Sequence, residues 1–178
     1  MNASSLDENL IVQMGRGDGE AFRKTYLATS SIVYGYALSI LKNRADAEDV
    51  MHDAYIRAFH AAATYQPLGK PLAWLLTIVR NLCYNKARSS KPTVDIGTYE
   101  QAAPIDEEQG ALDRIVLQKA LEILDEQERQ IVVLHAIAGM KHREIGEVLE
   151  LPTGTVLSKY HRALKRLKSE IAGREETA

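Results

Sequence analysis

Apolar residues in this 178-residue chain recur at spacings of three and four almost throughout, and no pair of alternating apolar runs flanks a hairpin turn. A side chain returns to the same face of a helix every ~3.6 residues and to the same face of a strand every second residue. The pattern therefore predicts an all-α chain whose helices bury apolar stripes against one another. Glu20 to Leu41 carries Phe22, Tyr26, Ile32, Val33, Tyr36, Ala37 and Ile40, which suits one long helix or two joined near Ser30 and Ser31. Ala45 to Tyr65 repeats the spacing through Ala47, Val50, Met51, Ala54, Ala58, Phe59 and Ala62. Tyr65-Gln66-Pro67-Leu68-Gly69 interrupts it, and Pro71 suits the first turn of the next helix, which runs through Trp74, Leu75, Ile78, Val79 and Leu82 to about Arg88. Four shorter helices are expected beyond, over Asp113–Leu124, Asp125–Ala138, Lys141–Leu149 and Thr153 to about Ile171.

Charge divides the chain where periodicity lapses. The net charge of −2 argues by itself against a free-standing, strongly basic nucleic-acid binder. It is nevertheless a cancellation: residues 1–91 sum to +3, residues 92–112 to −5, and residues 113–178 to 0. The middle stretch has five acids, no base, and Pro92, Gly97, Pro104 and Gly110. It offers too little apolar surface to order itself, so two small helical domains joined by a flexible acidic linker are expected. The single cysteine, Cys83, excludes an intrachain disulfide and a multi-cysteine zinc site. Cys83 itself suits a small buried residue better than a redox switch. Residues 1–10 lack the basic start and apolar core of a signal peptide, and no apolar run approaches the ~18 residues of a membrane span. A cytoplasmic protein without membrane insertion is expected.

The stretch Lys141 to Val156 predicts a helix-turn-helix. A short helix ends near Leu149, the connection holds Pro152, Thr153 suits an N-cap, and small Gly146 permits close approach of the second helix. On that second helix Val156, Tyr160, Ala163, Leu164, Leu167 and Ile171 share one stripe. Ser158, His161, Arg162 and Lys165 face the other way, flanked by Lys159, Arg166 and Lys168, with no acid between Thr155 and Lys168. Arginine can read guanine edges and both bases neutralise phosphates, so this face suits the major groove; a solvated basic helix would look the same.

Two further surfaces lie in the first half. Asp46, Asp49 and Asp53, at spacings of three and four, share a face opposite the apolar stripe, with Glu48 and His52 beside them. A solvated face, a metal site lacking ligand-spaced His or Cys, and a dock for a basic partner all fit. Further on, Arg80, Lys86, Arg88 and Lys91 stand among Trp74 and Tyr84, with Tyr65 across the loop. Aromatics interleaved with bases suit single-stranded nucleic acid, whose bases stack on rings. Trp74, at helical spacing with Leu75, Ile78 and Leu82, equally suits the core.

With these motifs in view the chain resembles the small extracytoplasmic-function (ECF) group of bacterial RNA polymerase sigma factors, of the sigma-70 family. Asn43 to Tyr55 resembles the group's D-A-E-D-L-V-Q-E-T-F helix, Pro71 to Leu82 its A-W-L-x-x-I-A-R-N helix, and Arg143 to Lys159 its E-I-A-x-x-L…G-T-V-K-S-R motif. The resemblance implies a region 2 domain over 1–90, a linker over 91–112 and a region 4 domain over 113–178. It implies that Asp46, Glu48, Asp49 and Asp53 dock on the clamp helices of the core RNA polymerase largest subunit, and that the polymerase flap is a second contact. Tyr65, Trp74, Arg80, Asn81, Tyr84, Lys86 and Arg88 would hold the single-stranded −10 element, the loop Tyr65–Lys70 receiving a flipped base. Thr155, Ser158, Lys159, His161, Arg162, Lys165 and Arg166 would read double-stranded −35 DNA. An anti-sigma factor is the implied regulator. His52, Asn85, Leu157 and Lys159 depart from the family's usual Gln, Asp, Lys or Arg, and Arg; Lys at 159 gives up bidentate geometry.

Two other functions compete with this one. A helix-turn-helix regulator that never meets polymerase would share the C-terminal half but would need no acidic docking helix. An enzyme is disfavoured, since no HExxH, nucleophile motif or Gly-rich phosphate loop is present. No catalytic residue, metal ligand or cofactor is expected.

Overall fold

A computed structural model describes residues 6–89 and 122–175. Among these residues there are seven α-helices, one 3-10 turn and no strand. The chain divides into two compact units, residues 1–97 and 98–178. The acidic linker, Lys91 and nearly all of the helix expected over Asp113–Leu124 lie outside the described residues.

The first unit opens with a helix that periodicity did not signal, α1 (Glu8–Met14), capped by the Asp7 carboxylate on the Asn9 amide (2.9 Å). It is under two turns long, so only Ile11 and Met14 mark its buried side. Next, α2 (Gly19–Leu41) is one unbroken helix through Ser30 and Ser31, started by Asp18, whose Oδ1 accepts from the Glu20 and Ala21 amides. Lys42 ends it in the left-handed conformation (φ 54°). Asn43 then caps α3 (Arg44–Ala61) through the Asp46 amide (2.9 Å). A 3-10 turn (Ala62–Thr64) leads into the Tyr65–Lys70 loop, and α4 (Pro71–Ser89) starts on the expected proline. Pro71 lacks the amide hydrogen that a first helical residue would leave unpaired, so it costs the helix nothing there.

Helices α2, α3 and α4 pack against one another, and α1 packs on α2 and on the 3-10 turn. Ile11, Val33, Tyr36, Val50, Leu75, Leu76 and Val79 are fully or almost fully buried among them. Each removes from water apolar area worth about 1.5–3 kcal/mol for a large side chain. Phe22 meets both Tyr55 and Phe59 edge-on, tying α2 to α3. The Tyr55 hydroxyl, buried there, is satisfied by Thr29 Oγ1 at 2.7 Å.

In the second unit Asp125 caps α5 (Glu126–Ala136) through the Glu128 amide (2.8 Å). It is followed by α6 (His142–Leu149) and α7 (Thr153–Glu175). Leu124, Val132, Ala163 and Leu167 form a buried cluster with Ile123 and Tyr160 packed against it. The α6–α7 connection is the expected helix-turn-helix. Glu144 Oε2 accepts from the Lys141 amide (2.8 Å) at the start of α6, and Glu150 ends it with φ 57°. Gly146 is where the turn folds back on α6: its carbonyl accepts from the Leu151 amide (2.9 Å), and a Cβ there would lie 2.7 Å from the Leu151 carbonyl oxygen. Thr153 is the first helical residue and not the cap; the Pro152 carbonyl accepts from the Thr155 and Val156 amides.

Candidate functional site

Three surfaces carry the candidate residues. The first is the outer face of α3, where Glu48, Asp49 and Asp53 are exposed and Asp46 is half-buried in the first turn. Placing Asp46 beside the helix N-terminus suits its charge, because the unpaired amides there carry partial positive charge. Asp46 and Asp49 are not bare: Lys86 of α4 reaches both, at 3.1 Å to Asp46 Oδ1 and 2.7 Å to Asp49 Oδ2. That hydrogen bond holds the Asp49 carboxyl below the ordinary aspartate range and the Lys86 ammonium above the ordinary lysine range. The acidic face of α3 and a candidate DNA contact are thus joined by one ammonium group.

The second surface is the Tyr65–Lys70 loop with α4. Tyr65 and Trp74 meet edge to face, 5.0 Å between ring centres, and both are half-buried. Trp74 is therefore neither a full core residue nor an open platform. The Arg80 guanidinium lies 5.3 Å from the centre of the Tyr84 ring, a cation–π arrangement that fixes both on one side of α4. Asn81 and Arg88 are exposed, and Leu82 and Cys83 face inward. Burial pushes the Cys83 thiol up to about 12, which makes it inert at neutral pH.

The third surface is α7. Val156, Ala163 and Leu167 are buried, Tyr160 and Leu164 half-buried, and Ser158, His161, Arg162, Lys165, Arg166 and Lys168 exposed. Thr155 and Lys159 are half-buried, and the Ser158 hydroxyl donates to the Thr155 carbonyl at 3.0 Å. Two of these bases are also tied inward. Glu128 of α5, fully buried, accepts from Arg166 Nη1 at 2.7 Å, with Arg162 Nε 3.9 Å from its other oxygen. Behind the helix-turn-helix, His135 and His142 stack at 4.5 Å, and the Tyr160 ring stands edge-on to both. Partial burial and the neighbouring His135 and His161 lower the His142 pKa. Among the described residues no cluster of His, Cys, Asp and Glu could hold a metal ion, and no helix is long and apolar enough to cross a membrane.

Comparison with known proteins settles which family builds these surfaces. Residues 25–93 match the sigma-70 region 2 model and residues 114–167 the sigma-70 region 4 model. The ECF RNA polymerase sigma factor SigL of Mycobacterium tuberculosis is 31% identical over 82% of this chain and 86% of its own. This chain belongs to the ECF RNA polymerase sigma factors. SigW of Bacillus subtilis, another such factor, is 29% identical over 90% of this chain and 94% of its own. Among solved structures, CnrH in complex with the cytosolic domain of CnrY is similar at a TM-score of 0.69 and 25% identity, covering 94% of this chain and 97% of that one. The sigma factor RpoE of Bartonella quintana, solved with the anti-sigma factor NepR, shares the fold at a TM-score of 0.65 and 22% identity, over 85% of this chain and 96% of its own.

Within this sigma factor Tyr65 meets Trp74 and Arg80 lies over Tyr84, whereas Lys86 turns to Asp46 and Asp49 of α3. Two residues that touch those surfaces escaped the sequence. Glu8 of α1 reaches the Tyr65–Lys70 loop, and Glu128 of α5 reaches Arg162 and Arg166. Asp125-x-x-Glu128 has the form of a capping box, which would turn the glutamate back on its own helix; its carboxylate instead faces α7.

Proposed function

We propose that this sigma factor joins core RNA polymerase through the acidic face of α3, holds unpaired −10 bases with the Tyr65–Lys70 loop and α4, and reads −35 duplex with α7. The first unit, with residues 1–90, serves polymerase and the −10 element; residues 113–178 serve the −35 element; residues 91–112 connect them. The observation that carries this reading is α7, where one helix buries Val156, Ala163 and Leu167 and exposes His161, Arg162, Lys165 and Arg166 from a turn closed at Gly146. Such a helix can enter a major groove while its back stays packed on α5 and α6.

The chemistry asked of the protein is non-catalytic. Bases unstacked at −10 cost a few kcal/mol each, and stacking on Tyr65 or Trp74 with phosphate contacts from Lys86 and Arg88 would offset that. The polymerase supplies the nucleotidyl transfer, so no cofactor is required of this chain. The protein works in the cytoplasm, and an anti-sigma factor holds it inactive; CnrH, 25% identical, is itself bound by the cytosolic domain of CnrY. Size-exclusion chromatography with purified core polymerase tests the docking face. The unmodified chain should co-elute with core, and reversing the exposed Glu48 and Asp53 together to lysine should release it. Separate elution of the unmodified chain would overturn the reading in favour of a regulator that binds DNA alone.

A further inference from the structure

The Tyr65–Lys70 loop is held at two points by one atom. Glu8 Oε1 accepts a hydrogen bond from the Tyr65 hydroxyl at 2.6 Å and a second from the Gly69 amide at 2.7 Å. Between the two donors, Gln66, Pro67 and Leu68 stand exposed, Leu68 at 76%. Bonds to an ionised acceptor are the strong kind, and here they close both ends of the segment that meets the −10 strand.

The position of Glu8 is set independently of the loop. Ile11 and Met14 are buried beneath α1, and at its far end Gly15 lies so close to the 3-10 turn that a Cβ would strike the Ala62 carbonyl. Thus α1 rests on the chain just ahead of Tyr65 and delivers the carboxylate from a packed platform. Burial of Tyr65 and the Glu8 carboxylate both raise the pKa of the phenol, which keeps it a donor across the physiological range.

We propose that Glu8 is a positioning residue for strand opening: it staples the two ends of the Tyr65–Lys70 loop so that the pocket for an unpaired −10 base exists before DNA arrives. This rests on the reading of that loop given above. Ordering the loop in advance removes an entropic cost that capture of the base would otherwise carry. Glu8 touches no DNA, and its effect should appear in opening and not in docking.

The experiment has two readouts on the full chain. Amide hydrogen exchange follows Gly69 in the free protein, and 2-aminopurine fluorescence follows −10 opening by holoenzyme, on a template selected by the unmodified holoenzyme from a randomised promoter library. In Glu8→Ala, Gly69 exchange should accelerate and the open fraction fall, each about tenfold, while core affinity and binding of −35 duplex stay unchanged. Glu8→Gln, which keeps a neutral carbonyl acceptor at the same reach, should recover part of both. Glu8→Asp keeps the charge and the first-turn acid of α1 but withdraws the carboxylate by one methylene, so it should behave like alanine without disturbing α1. Unchanged Gly69 exchange in Glu8→Ala and Glu8→Asp overturns the staple. Faster exchange with undiminished opening overturns the positioning role. If the unmodified chain opens no template, the sigma reading has failed and the proposal falls with it, a result visible before any variant is compared.

Discussion

Glu128 and Arg166 form a pair with unequal burial, and that inequality predicts unequal costs of breaking it. The Glu128 side chain is 1% exposed, against 51% for Arg166 and 61% for Arg162. Replacing Arg166 by alanine strands a carboxylate that water cannot reach. Removing one partner of a buried pair costs about 3–5 kcal/mol. Arg162, 3.9 Å away, can move in and compensate in part, so about 2–3 kcal/mol is expected for Arg166→Ala. Replacing Glu128 by leucine strands nothing, since both guanidinium groups already contact solvent; the change should lie within about 1 kcal/mol of zero. Urea unfolding with amide exchange read at Val132 and Val133 of α5 measures both, and the fluorescence of Trp74 in the other unit provides an internal control. Glu128→Leu should also free Arg162 and Arg166 for DNA and steepen the salt dependence of duplex binding. A Glu128→Leu variant as destabilised as Arg166→Ala would refute the reasoning.

Three other outcomes follow from the same geometry. Gly146→Ala places a Cβ 2.7 Å from the Leu151 carbonyl oxygen, so the turn must open; about 1–3 kcal/mol of stability and most −35 duplex binding should be lost, read by thermal melting and fluorescence anisotropy. Lys86→Met should return the Asp49 carboxyl towards its ordinary range in an NMR titration and weaken binding of single-stranded DNA, with little change in melting temperature because the pair is solvated. In the unmodified chain the depressed Asp49 pKa means that this pair contributes above the ordinary aspartate range and is lost as acid titrates the carboxylate. His142 has the opposite charge and a lowered pKa, so the unfolded chain takes up its proton more readily; the second unit should lose stability as pH falls through about 6.5, and His142→Phe should flatten that part of the pH profile of melting.

Helical periodicity carried the fold because it is a local property. It located α2, α3, α4 and the α6–α7 turn, and it separated the buried Val156, Ala163 and Leu167 from the exposed His161, Arg162 and Lys165. It missed α1, which has too few turns for a period to repeat. It also could not say what faces a side chain from elsewhere in the chain. Lys86 meets Asp49 across 37 positions, Arg166 meets Glu128 across 38, and Tyr65 meets Glu8 across 57. Each of these pairs depends on how elements distant in the chain pack together, which no spacing along one helix encodes. The net charge illustrates the same point: its −2 sums over the acids of α3 and the bases of α4 and α7, and it does not show that Lys86 reaches Asp46 and Asp49.

Run-off transcription with core polymerase on a promoter library tests the central claim most directly, because it requires docking, −35 reading and −10 opening at once. The account predicts transcripts that depend on this chain and start downstream of two spaced sequence elements, with changes in α7 altering the upstream preference and changes in the Tyr65–Lys70 loop altering the downstream one. Duplex binding at a single element, with no transcript above core polymerase alone, would contradict it.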